Sequence, residues 1–238
     1  MKKIRWQKET HKFVEHGYGL EFPLHQQRDY LTPNHSFFVC NATDTPVIDV
    51  ANWRLTICGD GITEPLELSY DTLCQLPQKT VPAFIECAGN QRFLFEDSMG
   101  EKLNKRPQVT ELLWGLGGVG MAEWCGVPLV DILRASGISD NAVHVCPFGL
   151  DASDDEGGQI CCPLPVEKAL DPDTLVALKM NGETLPPDHG FPARLVVPGW
   201  VGTYSIKWLD RIATTTTHQW VHRNTQLYVL SGDHWAQE

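Results

Sequence analysis

The chain has 238 residues, 42% of them hydrophobic, which is enough material for one sizeable core. Its 30 acidic and 19 basic side chains give a net charge of −11, and such an acidic excess argues against nucleic acid or an anionic membrane as the main partner. No apolar run is long enough to span a bilayer, and the charged start of the chain lacks the apolar core of an export signal, so a cytoplasmic location is expected.

Alternating and apolar runs, separated by turn signals, predict many strands with short helices between them. The predicted strands cover residues 53–59, 66–69, 143–146, 175–180, 194–197 and 203–212, and residues 81–85 form a further apolar run. The predicted helices cover residues 69–76, 128–136 and 165–170. Asn181-Gly182 is a strong hairpin signal. Because the strands do not alternate regularly with helices, the pattern favours the α+β class with mixed β-sheets.

One thiol stands in an informative place. Cys87 follows the apolar run 81–85 and opens the sequence Cys-Ala-Gly-Asn, in which Gly89 permits unusual backbone angles and Asn90 offers hydrogen bonds. A thiolate in such a turn is a ligand for a soft, oxidisable metal. The alternative is a buried structural cysteine at a strand end. The other seven cysteines form no C-x-x-C pair, so a zinc framework is not predicted.

Residues 115–120 match G-x-G-x-x-G, a pattern that joins a strand to a helix in dinucleotide-binding proteins. No β-branched strand leads into it, and Gly126 and Pro128 interrupt the segment where the helix should follow. We interpret the run as a glycine-rich loop, with an NAD-dependent enzyme as an alternative.

A second group of polar residues follows the predicted hairpin. His189, Arg194, Ser205 and Lys207 are cations and a hydroxyl that suit an anion such as phosphate, and Ser205 and Lys207 would share one face of the predicted strand 203–212. A solvated sheet face is the alternative interpretation.

Several long motifs in order resemble the molybdenum-cofactor domain of the sulfite oxidase family. They are Leu-Thr-Pro-Asn at 31–34 with a Phe pair at 37–38, Cys-Ala-Gly-Asn at 87–90, the run at 188–194, and the pattern PG-x-VG-x-x-S-x-KWL at 198–209. The resemblance extends from about residue 31 to about residue 223. The polar, mixed residues 1–30 are expected to form an N-terminal surface segment, and the resemblance implies a molybdopterin-binding domain at 31–238. The family's usual dimerisation domain and a haem domain are not expected in this chain.

The resemblance also implies a cofactor, molybdopterin carrying one molybdenum. The family's metal-ligating, catalytic cysteine falls on Cys87. Its cofactor-binding positions fall on Phe38, Asn41, Asp151, His189, Arg194, Ser205, Ile206 and Lys207. A carboxylate at Asp151 is suited to accept hydrogen bonds from pterin N–H groups.

The chain departs from the family where the substrate binds. Cys40 stands at the position of an arginine, Ala42 at that of a histidine, and the family tyrosine falls near Thr225, with Tyr228 displaced. Losing a bidentate arginine contact costs about 2–4 kcal/mol, or roughly 30- to 1000-fold in rate. Arg92, His222 and Arg223 are candidates to replace it.

We therefore expect two-electron oxygen-atom transfer on a small oxide or oxyanion, with inefficient use of sulfite and electrons exchanged with a separate protein. The alternatives are a sulfoxide-type reductase and a non-catalytic molybdopterin-binding protein.

Overall fold

A computed structural model describes residues 2–94, 114–153 and 158–228. Within these ranges the chain folds into four β-sheets with short helices between them. Most neighbouring strands are antiparallel, and one pair is parallel. The predicted α+β class with mixed sheets is confirmed.

The N-terminal part of the chain contributes two small sheets. A two-stranded sheet pairs β1 (Lys3–Ile4) with β5 (Thr45–Pro46). A three-stranded sheet orders β2 (Val14–His16), β3 (Gly19–Glu21) and β4 (Val39–Cys40). Leu20 in β3 is fully buried, so this segment joins the packed interior as well as covering it.

The six-stranded sheet has the order β11-β10-β16-β6-β7, with β12 paired to β10. Its strands are β6 (Arg54–Cys58), β7 (Leu66–Ser69), β10 (His144–Ser153), β11 (Gly158–Cys161), β12 (Leu164–Pro165) and β16 (Leu209–Thr215). The parallel pair is β16 with β6. Because β16 follows directly on residues 205–207, this sheet positions the last predicted cofactor residues.

The five-stranded sheet has the order β14-β13-β9-β8, with β15 paired to β13. Its strands are β8 (Lys79–Glu86), β9 (Val119–Pro128), β13 (Leu175–Met180), β14 (Glu183–Thr184) and β15 (Arg194–Val196). Asn181 and Gly182 both have positive φ, 52° and 79°, as the predicted hairpin requires. This sheet presents Cys87 immediately after β8 and Arg194 at the start of β15.

The helices are short. They are α1 (Tyr70–Gln75), α2 (Leu129–Ala135) and α3 (Val166–Ala169), with 3-10 turns at Leu24–Gln26, Pro187–His189 and Gly202–Tyr204 and a π-helical turn at Arg223–Leu227. Ser69 caps α1 as predicted, since its Oγ accepts a 3.0 Å hydrogen bond from the Thr72 amide. Among the residues that the structure describes, no helix is long and apolar enough to cross a membrane.

The predicted strand 203–212 is wrong in its first half. A 3-10 turn covers Gly202–Tyr204, and regular pairing begins only at Leu209. The carbonyl of Ser205 accepts from the Arg194 side chain at 2.9 Å, and that of Ile206 accepts from the Leu195 amide at 2.7 Å. These contacts occupy the backbone of 205–206, so Ser205 and Lys207 are placed by a loop and not by the alternation of a strand.

Strand β9 was not predicted, because the glycine-rich residues 115–120 indicated a loop and Gly126 interrupts the segment that follows. The structure shows why glycine occurs there. A Cβ at Gly120 would lie 2.6 Å from the Phe37 ring, and one at Gly126 would lie 2.1 Å from the Val176 carbonyl oxygen. The glycines allow close packing within a sheet. A strand where a nucleotide-binding helix would be needed also contradicts the G-x-G-x-x-G alternative.

Trp124 of β9 connects the core to the candidate site. It is fully buried, and its indole N–H donates to the Ala83 carbonyl at 3.1 Å. Its ring packs edge-on against Phe37, with 5.8 Å between centroids, and carries the Arg194 guanidinium 4.9 Å from its centroid. The same side chain therefore supports the five-stranded sheet and a charged group.

Replacing Trp124 by Ala is expected to lower the free energy of unfolding by about 3–5 kcal/mol, because the change leaves a large cavity and an unsupported guanidinium. Trp220, which is 72% exposed, is the matched control, and its change to Ala should alter stability by less than about 0.5 kcal/mol. Chemical denaturation of both variants measures the difference. Equal losses would contradict this account of the core.

Candidate cofactor site

Cys87 lies in a tight turn after β8. Its amide donates to the Gly118 carbonyl at 2.8 Å, and its Sγ accepts from the Gly89 amide at 3.4 Å. A Cβ at Gly89 would lie 3.0 Å from Nη2 of Arg92, so glycine lets this guanidinium approach the turn. The thiol is partly buried. The Gly89 amide and the charge of Arg92 favour its ionised form, but the contact with Cys40 and burial act more strongly and raise the pKa of Cys87.

A second thiol faces Cys87. The two sulfur atoms of Cys87 and Cys40 lie 3.8 Å apart, and Cys40 is exposed. The hydrogen bond from Cys87 lowers the pKa of Cys40 to about 7, and the same contact raises the pKa of Cys87. Above about pH 7 the pair therefore carries one proton and one negative charge. Positive charges of Lys207, Arg223 and Arg92 further favour that negative charge.

Arg194 organises the second group of predicted residues. Its guanidinium is buried and donates to the carbonyls of His189 at 3.1 Å and Ser205 at 2.9 Å. Burial lowers the pKa of Arg194 to about 9. A Cβ at Gly190 would lie 2.9 Å from Cβ of Arg194, so glycine is needed at this turn, where φ is 110°. The arginine thus ties three segments of chain around itself.

Lys207 connects this group to the cysteines. Its ammonium donates to Oδ1 of Asn41 and to the Asp188 carbonyl, the latter at 3.0 Å. Burial lowers the pKa of Lys207 to about 8, with a further contribution from the charge of Arg194. Asn41 follows Cys40 directly, so Lys207 is placed beside the thiol pair as well as beside Arg194.

His189 lies at the centre of the cation group and is 2% exposed. Its ring packs edge-on against Phe37 at 5.5 Å between centroids. Burial lowers the pKa of His189 well below its ordinary value, and the charges of Lys8, Lys207 and Arg194 lower it further. The imidazole is therefore neutral in the physiological range of pH.

The remaining predicted residues lie around the same centre. Phe38 is buried and stacks on Phe37 with 5.3 Å between centroids. Asp151, in β10, is buried, and a Cβ at Gly149 would lie 2.3 Å from its Oδ1 and 2.8 Å from the Lys207 carbonyl oxygen. Ile206 is buried in the main hydrophobic cluster. The structure therefore brings all the predicted cofactor residues to one region.

The substrate-side candidates separate into two groups. Tyr228 lies close enough to Cys40 for their charges to interact, and burial raises the pKa of its hydroxyl. Arg223 donates to the Thr203 hydroxyl at 2.8 Å and acts on both Cys40 and Tyr228. Thr225 is exposed, and its hydroxyl bonds to the carbonyl of residue 221 at 2.8 Å. Arg92, Arg223 and Tyr228 thus gather around Cys40, whereas Thr225 faces away.

The group as a whole fits a molybdenum-bound pterin with an anionic tail. No carboxylate in the described ranges forms an ion pair with Lys8, Arg194 or Lys207, although their charged heads are removed from much of the solvent. Buried cations need a compensating anion, which a phosphate supplies. Cys87 adds a soft metal ligand at the other end of the group. The donor set therefore matches both ends of such a cofactor.

Sequence reasoning missed Lys8. Its ammonium donates to Nε2 of His189 at 2.9 Å and to the Phe37 carbonyl at 2.7 Å. Nothing in the sequence distinguishes it from the other lysines near the N-terminus, because the contact joins residues 181 positions apart. A cavity of about 450 Å³ next to this contact is lined by Lys8 and Asp188 but by none of the predicted cofactor residues.

Comparison with known proteins agrees with this geometry. The family model for the oxidoreductase molybdopterin binding domain matches residues 42–222. Mitochondrial sulfite oxidase of Rattus norvegicus is 38% identical over 197 residues, which is 81% of this chain and 34% of that protein. An NADH nitrate reductase of Ulva prolifera is 34% identical over 208 residues, 81% of this chain and 22% of that protein.

A solved structure shares the fold. The sulfane dehydrogenase SoxCD from Paracoccus pantotrophus superposes with a TM-score of 0.71 at 28% identity, covering 93% of this chain and 51% of that one. The chain thus spans about a third or less of the length of the rat and algal relatives. These matches confirm the expected fold type and cofactor class. The chain belongs to the family of oxidoreductase molybdopterin-binding domains, and its cofactor is Mo-molybdopterin.

Proposed function

We propose that the protein catalyses a two-electron oxygen-atom transfer on a small oxide or oxyanion, with Cys87 as the molybdenum ligand. The observation that supports this most directly is the placement of the Cys87 thiol, which shares a charge with Cys40, beside the cations that would hold the cofactor. A site built only to store the cofactor has no need of further cations near the two thiols. Arg92 and Arg223 supply them here.

When bound, the cofactor would supply the two-electron redox chemistry. Cys87 would hold the metal, and the Gly89 amide would stabilise the negative charge of its sulfur. Arg194 and Lys207 would bind the anionic end of the cofactor, and the carboxylate of Asp151 would accept hydrogen bonds from the pterin N–H groups.

The substrate side favours a small polar oxide. Arg92 and Arg223 bring positive charge to the region of Cys40, and Tyr228 brings a hydroxyl that stays protonated because burial raises its pKa. Such a hydroxyl donates hydrogen bonds to a substrate oxygen. Cys40 itself offers no bidentate fork and carries part of a negative charge, which opposes an oxyanion. We therefore propose that sulfite is used inefficiently and that electrons pass to or from a separate protein.

Reduction of a neutral sulfoxide is the second candidate. It is favoured by the same exchange of an arginine for Cys40, because a neutral oxide needs less positive charge than sulfite does. Steady-state assays with sulfite, nitrate and a dialkyl sulfoxide distinguish the candidates. Bound molybdenum that none of the three reduces or oxidises would favour the non-catalytic alternative.

Changing Cys87 to Ala should abolish turnover, because the metal would lose its proposed protein ligand. Molybdenum content by mass spectrometry should fall with activity, whereas pterin released from the protein should fall less, since the cations that hold it remain. The exposed Cys74 changed to Ala is the control and should retain activity and metal. Normal turnover in the Cys87 variant would remove the proposed mechanism.

Changing Cys40 to Arg should raise kcat/KM for sulfite by roughly 30- to 1000-fold, the value of about 2–4 kcal/mol from a charge-assisted bidentate contact. Cys40 changed to Ser controls for loss of the thiol and should give no comparable gain. Steady-state kinetics of the three forms measures the effect. Efficient sulfite oxidation by the wild type would contradict the proposed specificity.

A further inference from the structure

Lys8 lies in a segment that precedes the matched family domain, which starts at residue 42. The segment is held to the site by several independent contacts. Strand β1 pairs with β5, and the amides of Gln7 and Lys8 both donate to Oδ2 of Asp188, at 2.9 and 3.0 Å. Oδ1 of Asp188 accepts from the hydroxyl of Thr45 in β5 at 2.6 Å. One carboxylate thus fixes the backbone of Lys8 next to His189.

The side chain of Lys8 points inward from that anchor. Its ammonium lies 5.1 Å from the centroid of the Phe13 ring, which packs edge-on against Phe22 at 5.4 Å. It donates to the carbonyls of Asn34 and Phe37 at 3.2 and 2.7 Å. Its third N–H is directed to Nε2 of His189 at 2.9 Å. All three donors are therefore used within the folded chain.

An ammonium group has no acceptor, so in this contact Nε2 of His189 must accept the hydrogen bond. A neutral imidazole that accepts at Nε2 carries its proton on Nδ1. Lys8 therefore determines which nitrogen of His189 is a donor. It also adds a positive charge to the group formed by His189, Arg194 and Lys207.

We propose that Lys8 is a positioning residue of the cofactor site, which holds His189 in its Nδ1-protonated form, and that residues 2–16 act as a strap that retains the cofactor. The cofactor part of this inference rests on the proposed function. The assignment of the His189 tautomer rests on the contact between the side chains of Lys8 and His189. The two parts can therefore be tested separately.

Burial lowers the pKa of Lys8 to about 7, while the charge of Asp188 opposes that change and the charge of Lys207 adds to it. At about pH 6 the Lys8 side chain is mostly an ammonium and His189 is neutral. These are the conditions in which the predicted tautomer is best defined.

The first experiment is nitrogen NMR of the full chain with labelled histidine at about pH 6. The His189 signals are assigned by comparison with His189→Gln. In the wild type we expect the proton on Nδ1, and in Lys8→Met we expect Nε2 to become protonated in a large fraction of molecules. Lys12→Met removes the same charge from an exposed position in the segment and should leave the signals unchanged. An unchanged tautomer in Lys8→Met would overturn the proposal.

The second experiment measures the loss of molybdenum and pterin from purified protein during prolonged dialysis. Lys8→Met should release both roughly tenfold faster than the wild type, and Lys8→Arg, which keeps the charge and the donors, should release them within about threefold of the wild type. Lys8→Gln keeps a hydrogen-bond donor but removes the charge, and it replaces Lys8→Met if that variant does not fold. Its release rate should lie between those expected for Lys8→Met and for the wild type. Wild-type release rates in both Lys8→Met and Lys8→Gln would overturn the strap.

Failure of the proposed function gives a different result. If wild-type protein purified from cells that make the cofactor contained neither molybdenum nor pterin, that result would refute both the proposed function and the retaining role of the strap. The NMR result would still decide whether Lys8 sets the protonation of His189.

Discussion

Arg194 and Lys207 carry positive charges that folding removes from much of the solvent, and no carboxylate in the described ranges pairs with either at ion-pair distance. Removing charge from water is costly unless an opposite charge replaces the lost solvation. The carboxylates of Asp151 and Asp188 act on Lys207 from beyond ion-pair distance, and the pKa of Lys207 is still lowered to about 8. Under the proposed function, an anionic cofactor would complete the compensation of these charges beside Arg194, which lies against Trp124 and donates to the carbonyls around it.

The end of the site that contains Cys87 and Cys40 depends on thiol ionisation. Two sulfur atoms share a proton there, in the field of Lys207 and two further arginines. A metal bound to Cys87 would displace that proton, because only the thiolate coordinates. The sulfur of Cys40 lies 3.8 Å from that of Cys87. Under the proposed function, a cysteine in place of the family arginine would change both charge and reactivity on the substrate side of the site.

The sequence predicted the parts of this protein that depend on local signals. The cap at Ser69, the hairpin at Asn181-Gly182 and the turn at Cys87 all follow from residue types that favour one backbone geometry. Strand β9 was missed because its glycines serve contacts with Phe37 and Val176, partners that are distant in sequence. The start of the segment 203–212 was wrong for the same reason, since Arg194 and β15 engage its carbonyls.

The cofactor residues could be named from long motifs, but their arrangement could not. Nothing in the order of residues shows that Asn41 would meet Lys207, or that Lys8 would meet His189. Those two contacts close loops of 166 and 181 residues. Closing such loops has an entropic cost, and it delays the contacts in folding. On the ribosome Lys8 emerges long before His189, so the proposed cofactor site cannot be finished until synthesis has passed residue 207.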